Sequence, residues 1–237
     1  MENAIYAALP RQIGLMQEMQ LIANNISNSS TTGFRREGLM FAEYIRALEG
    51  EPSLSLARPS ARHLDMRSGT IEETGGTFDL AISGEGFFMI ETPEGPMLSR
   101  AGHFTLGAEG ELLNPDGYRL LDEGGAPIQV PANAQNVQVA EDGTLSAAGQ
   151  PIARVGLWEP TDPMSLRHQQ GTLFASDDVQ PSEEAGRILQ GRLEGSNVDP
   201  VKEVARMIEV QRIYEFGQSL LDREDQRIRK VIEIIGR

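Results

Sequence analysis

The residues best suited to metal or acid–base chemistry in this sequence are three histidines, and their spacing suits neither role. His63, His103 and His168 lie far apart in the chain, whereas the ligands of zinc sites recur at short, paired spacings. The chain contains no cysteine, which excludes a thiolate metal site and a disulfide framework. We therefore interpret each histidine as a surface or packing residue and predict no metal and no other cofactor.

A glycine pair and the many carboxylates are the other features that could carry chemistry. Gly84 and Gly86 precede Phe87–Ile90, a predicted strand, whereas a phosphate site needs a helix N-terminus after its glycines. The 35 Asp and Glu residues include no diagnostic motif, and the Gly-x-Ser-x-Gly turn of hydrolases does not occur in the sequence. The sequence thus predicts no enzyme and no small-molecule substrate, with an acidic hydrolase built on an unusual carboxylate pair as an open alternative.

Length, charge and hydropathy exclude several classes of partner. The chain has 237 residues, of which 39% are hydrophobic, and a net charge of −14, so it would repel the phosphates of nucleic acid. No apolar run approaches the roughly 20 residues needed to span a bilayer. Arg11, Gln12, Gln17 and Glu18 interrupt the N-terminal segment, which therefore lacks the apolar core of a signal peptide. We expect no nucleic-acid partner, no membrane span and no cleaved signal peptide.

Two amphipathic helices are predicted at the ends of the chain, over residues 1–28 and 199–235. In the first, seven positions alternate three and four apart, and six of them are apolar: Ile5, Leu9, Gln12, Met16, Met19, Ala23 and Ile26. In the second, nine positions follow the same spacing, and seven are apolar: Met207, Val210, Tyr214, Gly217, Leu221, Glu224, Ile228, Val231 and Ile235. A narrow seam of this kind is typical of a coiled coil. Asp199 is suited to cap the second helix, and Pro200 to its first turn.

The pattern leaves open what these helices pack against. A second apolar row in the first helix, formed by Ala8, Leu15 and Ile22, broadens its apolar face and suits a helix with more than one neighbour. Neither helix has a partner close in sequence, so each must pack across the chain or on another subunit. An ordinary surface helix on a globular domain is the alternative interpretation.

A polar segment ends the first helix. Asn24, Asn25 and Asn28 have side chains that compete for backbone hydrogen bonds and favour caps and turns. Gly33 can adopt a positive φ after the helix end, and Phe34 follows as an apolar anchor before two arginines. We predict that these five residues form a helix-exit motif, with a plain polar helix end as the simpler interpretation.

Between the helices the hydrophobic period changes to two. From Thr77 to about Phe174, acidic-Gly pairs such as Asp116-Gly117 recur between apolar pairs, as in hairpins. The pattern predicts a small antiparallel β domain, strongly twisted or barrel-like, with its last strands over 153–160 and 170–176 and with Trp158 as a core residue. Residues 38–50 could form a short helix or an extended arm, and 51–65 are expected to be irregular.

The predicted fold class is therefore α+β, with long coiled-coil-type helices at both ends of a mainly antiparallel β domain. We divide the chain into five predicted segments: an N-terminal helical segment over 1–37, a connecting region over 38–76, a β domain over 77–184, a return connection over 185–198 and a C-terminal helical segment over 199–237.

Three motifs resemble those of bacterial flagellar rod and hook proteins, in the order that this family has them. The first is Ile22–Asn28 with Thr32–Arg35, the second is Asp79–Phe88 with Arg100–Phe104, and the third is Leu193–Val198 with residues 207–215. Within the family, Asn3-Ala4-Ile5-Tyr6 and the chain length resemble the proximal rod type most. The distal rod pattern continues after Tyr214-Glu215 with Asn and Lys, where this chain has Phe216-Gly217, but a distal rod or hook-type axial protein stays the alternative.

The resemblance implies a structural subunit of the flagellar basal body, located in the periplasmic rod. In this family both terminal helices form the inner part of a hollow axial tube that transmits torque, and the β domains project outwards. Implied partners are other proximal and distal rod subunits, the flagellar export apparatus and an export chaperone, with export occurring without a cleaved signal peptide. We expect assembly contacts at twelve seam residues: Ile5, Leu9, Met16, Met19, Ala23, Ile26, Met207, Val210, Tyr214, Leu221, Ile228 and Val231.

A cell-wall-binding β domain with oligomerising helices is the alternative from another functional class. Sugar-binding sites favour exposed aromatic side chains, and this chain has one Trp and four Tyr. The composition therefore favours the structural subunit.

Overall fold

The computed structural model describes residues 2–48, 51–131, 134, 136–182 and 186–235, and side chains are described within 9–40, 62–131, 134, 136–182, 186–231 and 233–234. The chain divides into two compact units. The helical unit consists of Met1–Ser27, Glu37–His63 and Asp199–Arg237. The β unit consists of Asn28–Arg36 and Leu64–Val198.

The helical unit is built on an antiparallel pair of helices, α1 (Glu2–Ser27) and α2 (Pro200–Ile235). Contacts near residues 25 and 203, then 18 and 206, then 12 and 214 show that the two helices run in opposite directions. Their shared core consists of buried Leu15, Ile22 and Val210, with half-buried Met19, Ile26, Met207, Ile213 and Tyr214 around it. Fully burying such an aliphatic side chain contributes about 1.5–3 kcal/mol, so this core holds the two ends of the chain together. The sequence left open whether each helix packs within the chain or on another subunit. On the face formed by this core, α1 and α2 pack against each other within one chain.

The two helices differ in length. α1 has 26 residues and α2 has 36. Because residues 25 and 203 meet at one end of the pair, the difference falls at the other end, where α2 extends past the start of α1 by roughly 15 Å at 1.5 Å per residue. This overhang contains Ile228, Val231 and Ile234, which are all exposed.

The start of α2 agrees with the predicted cap. Asp199 Oδ1 accepts hydrogen bonds from the backbone N–H groups of Val201, at 3.1 Å, and Lys202, at 3.2 Å. The Lys202 side chain, followed by these backbone donors, lowers the pKa of the Asp199 carboxyl group. The carboxylate is therefore ionised at neutral pH and satisfies two of the donors that a helix start leaves without partners.

A long hairpin occupies much of the predicted connecting region. β1 (Glu37–Leu48) and β2 (Glu51–Leu64) form a two-stranded sheet. The region is thus an extended arm, and the expectation of irregular structure over 51–65 is wrong. Pro52 and Pro59 are tolerated because each strand of a two-stranded sheet has one edge that needs no ladder hydrogen bond.

The β unit confirms the prediction of a mainly antiparallel β domain. Its strands are β3 (Ile71–Glu73), β4 (Leu80–Ser83), β5 (Phe88–Thr92), β6 (Gly95–Ser99), β7 (Thr105–Leu106), β8 (Leu112–Leu113), β9 (Arg119–Leu120), β10 (Gln138–Val139), β11 (Thr144–Ala147), β12 (Gln150–Arg154), β13 (Trp158–Pro160), β14 (Arg167–Gln170), β15 (Leu173–Ala175), β16 (Val179–Pro181), β17 (Arg187–Gln190) and β18 (Arg192–Glu194). The largest sheet has seven of these strands in the order β14-β15-β6-β5-β9-β8-β7, and the smaller sheets are β10-β11-β12, β13-β16, β17-β4 and β18-β3.

The last strands of the unit lie later in the chain than expected. We expected strands to end near residue 176 and residues 185–198 to be a connection, but that segment contains β17 and β18. β17 pairs with β4 in the register Arg187 to Ser83, and β18 pairs with β3 in the register Arg192 to Glu73. The end of the β unit therefore returns to pair with its beginning, a long-range relation that no local pattern in the sequence encodes.

Two apolar clusters lie on opposite faces of β5 and β6. Phe88 and Met97 belong to the larger cluster, whereas their neighbours Phe87 and Leu98 belong to the smaller one. This division follows from the alternation of side chains along a strand. Trp158 is half-buried against the smaller cluster, which agrees with its predicted role in packing.

We predict that Gly102→Ala destabilises the β unit. A Cβ atom at this position would lie 1.7 Å from the carbonyl oxygen of Leu80, while the Leu80 N–H donates to the Gly102 carbonyl at 2.8 Å. The two backbones would have to separate, at an expected cost of about 2–4 kcal/mol. Urea unfolding measures this cost, with Gly195→Ala as the control because its Cβ would make only an ordinary contact, 3.5 Å from the oxygen of Thr70. Equal unfolding midpoints for the two variants would contradict the prediction.

Candidate assembly site

A buried carboxylate, Glu194, is the centre of the polar network in the β unit. Its Oε1 lies 2.7 Å from Nη1 of Arg35 and accepts a hydrogen bond from the Gly69 N–H at 2.9 Å. Its Oε2 accepts from Arg100 Nη1 at 3.2 Å. The side chains of Arg35 and Glu194 are completely buried, and that of Arg100 is 4% exposed. One carboxylate therefore joins three segments that are far apart in sequence.

Backbone contacts surround this ion cluster and connect the same segments. The Gly33 N–H donates to the Glu194 carbonyl at 2.7 Å, and the Arg36 N–H donates to Asn197 Oδ1 at 2.7 Å. Asn197 Nδ2 in turn donates to the carbonyls of Asp65 and Arg67, each at 2.8 Å. We call the region formed by 28–36, 65–70, Arg100 and 191–198 the motif junction, because three of the sequence motifs described above meet there.

Gly33 fits the motif junction only as glycine. Its φ is +70°, in the left-handed region that residues with a Cβ rarely adopt. A Cβ at this position would also lie 2.2 Å from the backbone nitrogen of Ala101. The positive φ agrees with the helix-exit prediction, and the close approach of 100–101 explains why the position tolerates no side chain.

The charges in the motif junction do not balance, since two guanidinium groups share one carboxylate. Burial lowers the pKa of Arg100 to about 10, against the opposing effect of Glu194, so Arg100 stays charged at neutral pH. Its Nη2 donates to the Gly84 carbonyl at 2.8 Å, and its guanidinium carbon lies 5.2 Å from the centre of the Phe87 ring. Within the described residues, Arg35 Nε and Nη2 have no hydrogen-bond partner, so Arg35 depends on Glu194 for its charge compensation.

Aromatic packing also holds the 28–36 segment of the motif junction in place. Phe34 is completely buried. Its ring packs edge-on against the His168 ring, with 5.7 Å between the ring centres, and the His168 ring packs against Phe174 with 5.6 Å between the ring centres. His168 Nε2 lies 2.7 Å from the Gly171 carbonyl oxygen. His168 is thus a packing residue, as the sequence predicted, and Phe34 is the apolar anchor of the exit.

We predict that Glu194→Gln is strongly destabilising. The amide would leave two buried cations without a counter-charge, and removing one partner of a buried ion pair costs about 3–5 kcal/mol. Chemical unfolding followed by circular dichroism measures the change. Glu123→Gln is the matched control, because Glu123 pairs with Arg154 at 3.1 Å on the exposed surface, where such pairs contribute about 0–1 kcal/mol. A cost below 1 kcal/mol for Glu194→Gln would contradict this account of the motif junction.

In the helical unit, Asn25 has the corresponding role. Its side chain is completely buried. Oδ1 accepts from the Glu37 N–H at 3.0 Å, and Nδ2 donates to the Glu37 carbonyl at 2.9 Å and to Glu203 Oε2 at 3.2 Å. The amide therefore pairs with the backbone of β1 as a neighbouring strand would, and it also reaches the first turn of α2.

The remaining helix-exit residues form a turn. Ser27 Oγ donates to the Asn24 carbonyl at 2.9 Å. Thr31 donates to Asn28 twice, from its backbone N–H to the carbonyl and from its hydroxyl to Oδ1, both at 3.1 Å. Asn24 and Asn25 belong to the helical unit, whereas Asn28, Gly33 and Phe34 belong to the β unit, so the five predicted residues serve two separate structures.

We predict that Asn25→Asp costs about 2–4 kcal/mol of stability. The isosteric carboxylate cannot donate to the Glu37 carbonyl, and it would place a second negative charge beside Glu203 in a buried site. Hydrogen exchange at the amides of α1 and α2 measures the loss. Gln20→Glu adds the same charge at an exposed position of α1 and should leave the exchange rates unchanged; equal effects of both substitutions would refute the special role of Asn25.

The predicted assembly residues of α1 separate into two rows in the structure. One row, at 12, 15, 19, 22 and 26, faces α2 and is buried or half-buried. The other, at 9, 13, 16 and 23, is exposed, with Leu9 at 56%, Ile13 at 51% and Met16 at 52%. At about 100° per residue, the second row lies roughly a quarter-turn from the first. The predicted contacts Met19 and Ile26 thus lie within the chain, Leu9, Met16 and Ala23 face outwards, and the side chain of Ile5 is outside the described residues.

Along α2, exposed apolar residues lie outside the buried face in two groups, which we call its flanks. Val201, Val204 and Ile208 form one flank near the start of the helix, roughly opposite Val210. The other flank lies further on, roughly a quarter-turn to a third of a turn from Val210, and consists of Phe216, Leu220, Val231 and Ile234. Of the predicted contacts, Val210 is completely buried against α1, Met207, Tyr214 and Leu221 are half-buried, and Ile228 and Val231 are exposed.

A cavity of about 560 Å³ in the β unit tests the alternative of a hydrolase. Glu123, Glu141 and Asp142 line it, but each carboxylate has its own partner. Glu123 pairs with Arg154 at 3.1 Å, Glu141 pairs with Arg187 at 3.2 Å, and Asp142 accepts from Thr144. The hydrogen bonds from Thr144 lower the pKa of Asp142. This arrangement favours three separate carboxylates, each with its own partner, over a pair that shares a proton.

The histidines of the described residues do not form a metal site. Those residues contain no group of three or more His, Asp or Glu side chains that could hold a metal ion. His103 Nδ1 lies 2.7 Å from Asp79 Oδ1, and His63 is exposed. Over the same residues, α1 and α2 are too polar to serve as membrane-spanning helices.

Sequence reasoning missed the importance of Arg35, Arg100 and Glu194. All three stand in the motifs quoted for the family resemblance, but nothing in their neighbours distinguishes a buried charge from an exposed one. A weak signal was available, since Arg35 follows Phe34 and Glu194 follows Leu193 in short segments rich in glycine.

These features indicate a structural protein that has exposed apolar surface on its helices. Its most buried polar residues connect distant parts of one chain, and its exposed apolar residues are concentrated on the two terminal helices.

Comparison with known proteins identifies the family. Residues 81–147 match the model of the flagellar hook protein FlgE/F/G D1 domain, and residues 189–234 match that of the flagellar basal body rod FlgEFG protein C-terminal region. The chain is similar to the flagellar basal-body rod protein FlgF of Caulobacter vibrioides, with 35% identity over 244 residues that cover 100% of this chain and 99% of the relative. The corresponding protein of Mesorhizobium japonicum is 33% identical over 240 residues, with the same coverage.

A second type of relative is less similar. The flagellar basal-body rod protein FlgG of Bacillus subtilis is 28% identical over 262 residues, with 99% of each chain covered. The chain therefore belongs to the flagellar basal-body rod protein family, and these two FlgF proteins resemble it more than this FlgG protein does. It is a structural rod subunit of the bacterial flagellum basal body. The resemblance inferred from the three motifs is confirmed.

Proposed function

We propose that this rod subunit joins other copies of itself and sibling rod subunits through the exposed apolar flanks of α1 and α2, and that it does so in the proximal part of the rod. The observation that carries the proposal is the row Leu9, Ile13 and Met16, which is more than half exposed on a helix whose neighbouring row is already packed. The proximal position is supported by the motif Asn3-Ala4-Ile5-Tyr6 and by the likeness of the chain to FlgF proteins.

The number of apolar faces supports assembly with more than one neighbour. The helix pair has one exposed apolar flank on α1, the row at 9, 13, 16 and 23, and two on α2. A contact on each flank would contribute about 25 cal/mol of favourable free energy for every Å² of apolar surface removed from water. Because these flanks differ in sequence, a contact between copies joins unlike patches. Contacts of that kind build open helical assemblies when the rotation between copies does not close into a ring. We propose this open arrangement, which repeats by a screw operation, with coiled-coil-type packing between helices of different copies.

The distribution of charge also supports assembly through the helical unit. That unit contains 14 of the 35 acidic and 12 of the 21 basic residues, which leaves 21 acidic and 9 basic residues in the β unit. The β unit thus carries about −12 of the net charge and the helical unit about −2. Like-charged β units repel one another at low ionic strength, whereas the nearly neutral helical units can approach.

The remaining parts of the proposal follow from the family. The subunit acts as a stiff element in a tube that transmits torque, and it has no catalytic activity of its own. It reaches the periplasmic rod through the flagellar export apparatus, without a cleaved signal peptide and with an export chaperone as a further partner. The twelve predicted seam residues divide accordingly, with the buried ones holding the subunit together and the exposed ones contacting neighbours.

We predict that Ile13→Glu and Ile208→Glu each abolish assembly without unfolding the subunit. Their side chains are 51% and 47% exposed, so the melting temperature of the purified chain should change by less than about 2 °C. Burying the new charge in an apolar contact between subunits would cost several kcal/mol, and at about 1.4 kcal/mol per factor of ten the yield of rods should fall at least tenfold.

The measurement is complementation of a strain that lacks this chain, scored by swimming in soft agar and by electron microscopy of isolated basal bodies. Gln17→Glu, at an exposed polar position of α1, is the control and should support normal swimming. Normal rods with either isoleucine variant would refute the flank contacts, and failure of all three variants would show that any added charge on these helices is harmful.

A further inference from the structure

The two interruptions in the apolar seams of α1 and α2 lie against each other. Gln12 is the one polar residue among the seven seam positions of the first helix, and Gly217 is one of two breaks in the second. In the structure, a Cβ atom on Gly217 would lie 2.0 Å from Nε2 of Gln12. The missing side chain of Gly217 therefore leaves the space that the Gln12 amide occupies.

The Gln12 amide is buried and only partly satisfied. The residue is 8% exposed, and Nε2 donates to the carbonyl of Tyr214 at 3.2 Å. Oε1 is buried without a hydrogen-bond partner among the described residues. The amide is therefore held by a single hydrogen bond and by the shape of the space above Gly217.

Neither residue is the choice that would make the helix pair most stable. A buried acceptor without a partner is unfavourable, and glycine is the least favourable residue other than proline inside a helix. Apolar residues at both positions would continue the two seams. The arrangement therefore suits selection of one pairing over others, a known role of single buried polar residues between helices.

We propose that Gln12 and Gly217 form a register lock, which selects one antiparallel alignment of α1 with α2 of the same chain. Seams with a seven-residue repeat can slip by one repeat, which is roughly 10 Å along the helix, and still place apolar residues face to face. A slip in one direction would bring the Gln12 amide against Val210, which is completely buried, and a slip in the other would bring Met19 against Gly217. The first buries a polar group without a partner, and the second leaves the space above the glycine badly filled.

The lock differs from the other contacts that align the helices. Asn25–Glu203 and Glu18–Arg206 lie towards the opposite end of α1, and the Arg206 side chain is 45% exposed. Gln12 alone among these residues is a polar group within the apolar seam. The lock concerns pairing within one chain, and it stands whether or not the proposed contacts between subunits are correct.

Distance measurements between spin labels on the full-length chain test the lock. The chain has no cysteine, so nitroxide labels can be attached to cysteines placed at the exposed positions Gln20 and Asp222. The parent protein should give a single label-to-label distance. Gln12→Met and Gly217→Ala should each add a second population that differs by up to roughly 10 Å. Mixtures of chains labelled singly at position 20 or 222 should give no such distance, because the slipped pairing lies within one chain. Because Gln12→Met removes the unsatisfied acceptor, it should also raise Tm by about 2–4 °C.

Val210→Ala is the matched control, since it removes packing from the same interface but keeps the polar contact. It should lower Tm and still give a single distance. An unchanged single distance in Gln12→Met and Gly217→Ala would overturn the lock. Equal broadening in Val210→Ala would also overturn it, because the second population would then reflect general loosening of the helix pair.

Discussion

The structure of the β unit depends on the charge of one buried carboxylate. Glu194 compensates Arg35 and Arg100 and accepts a backbone N–H from the 65–70 segment, and its own carbonyl accepts from Gly33. Since a buried cation without a counter-charge is very unfavourable, the first segment of the unit, residues 28–36, and its last strand, β18, must come together with Arg100. The closing strands β17 and β18 then pair with β4 and β3, and the two apolar clusters are enclosed.

The helical unit follows a different principle, in which apolar periodicity dominates and polar groups refine it. The row that includes Leu15 and Ile22 packs against Val210 of α2, and Asn25 connects the end of α1 to β1 and to the start of α2. A helix that has an apolar row on a second side cannot bury both rows against one partner. The exposed rows are thus a direct consequence of the same sequence pattern that makes the pair stable.

Much of this architecture could be predicted from the sequence because it rests on local patterns. The spacing of Leu9, Met16 and their seam neighbours identified α1, Asp199 marked the start of α2, and the acidic-Gly pairs marked the hairpins. Periodicity gives the positions along a helix but does not say which of two adjacent rows faces a partner, so Met19 and Met16 could not be assigned to different sides. The pairing of β18 with β3, the burial of Arg35 and the contact of Gln12 with Gly217 all join distant residues, and no local signal encodes such a pair. The strand β2 was not predicted because Pro52 and Pro59 suggested irregular structure. Proline is excluded from a central strand, but a strand with a free edge, such as β2, tolerates it.

The unequal lengths of α1 and α2 have a mechanical consequence. A single chain leaves the last two to three turns of α2, with Ile228 and Val231 exposed, without α1 beside them. If copies stack along the direction of these helices, as the proposed function requires, the overhang of one copy would lie beside the helices of the next. Every cross-section of such a stack would then cut through continuous helices and not only through subunit boundaries, so that the proposed twisting load would be shared among those helices.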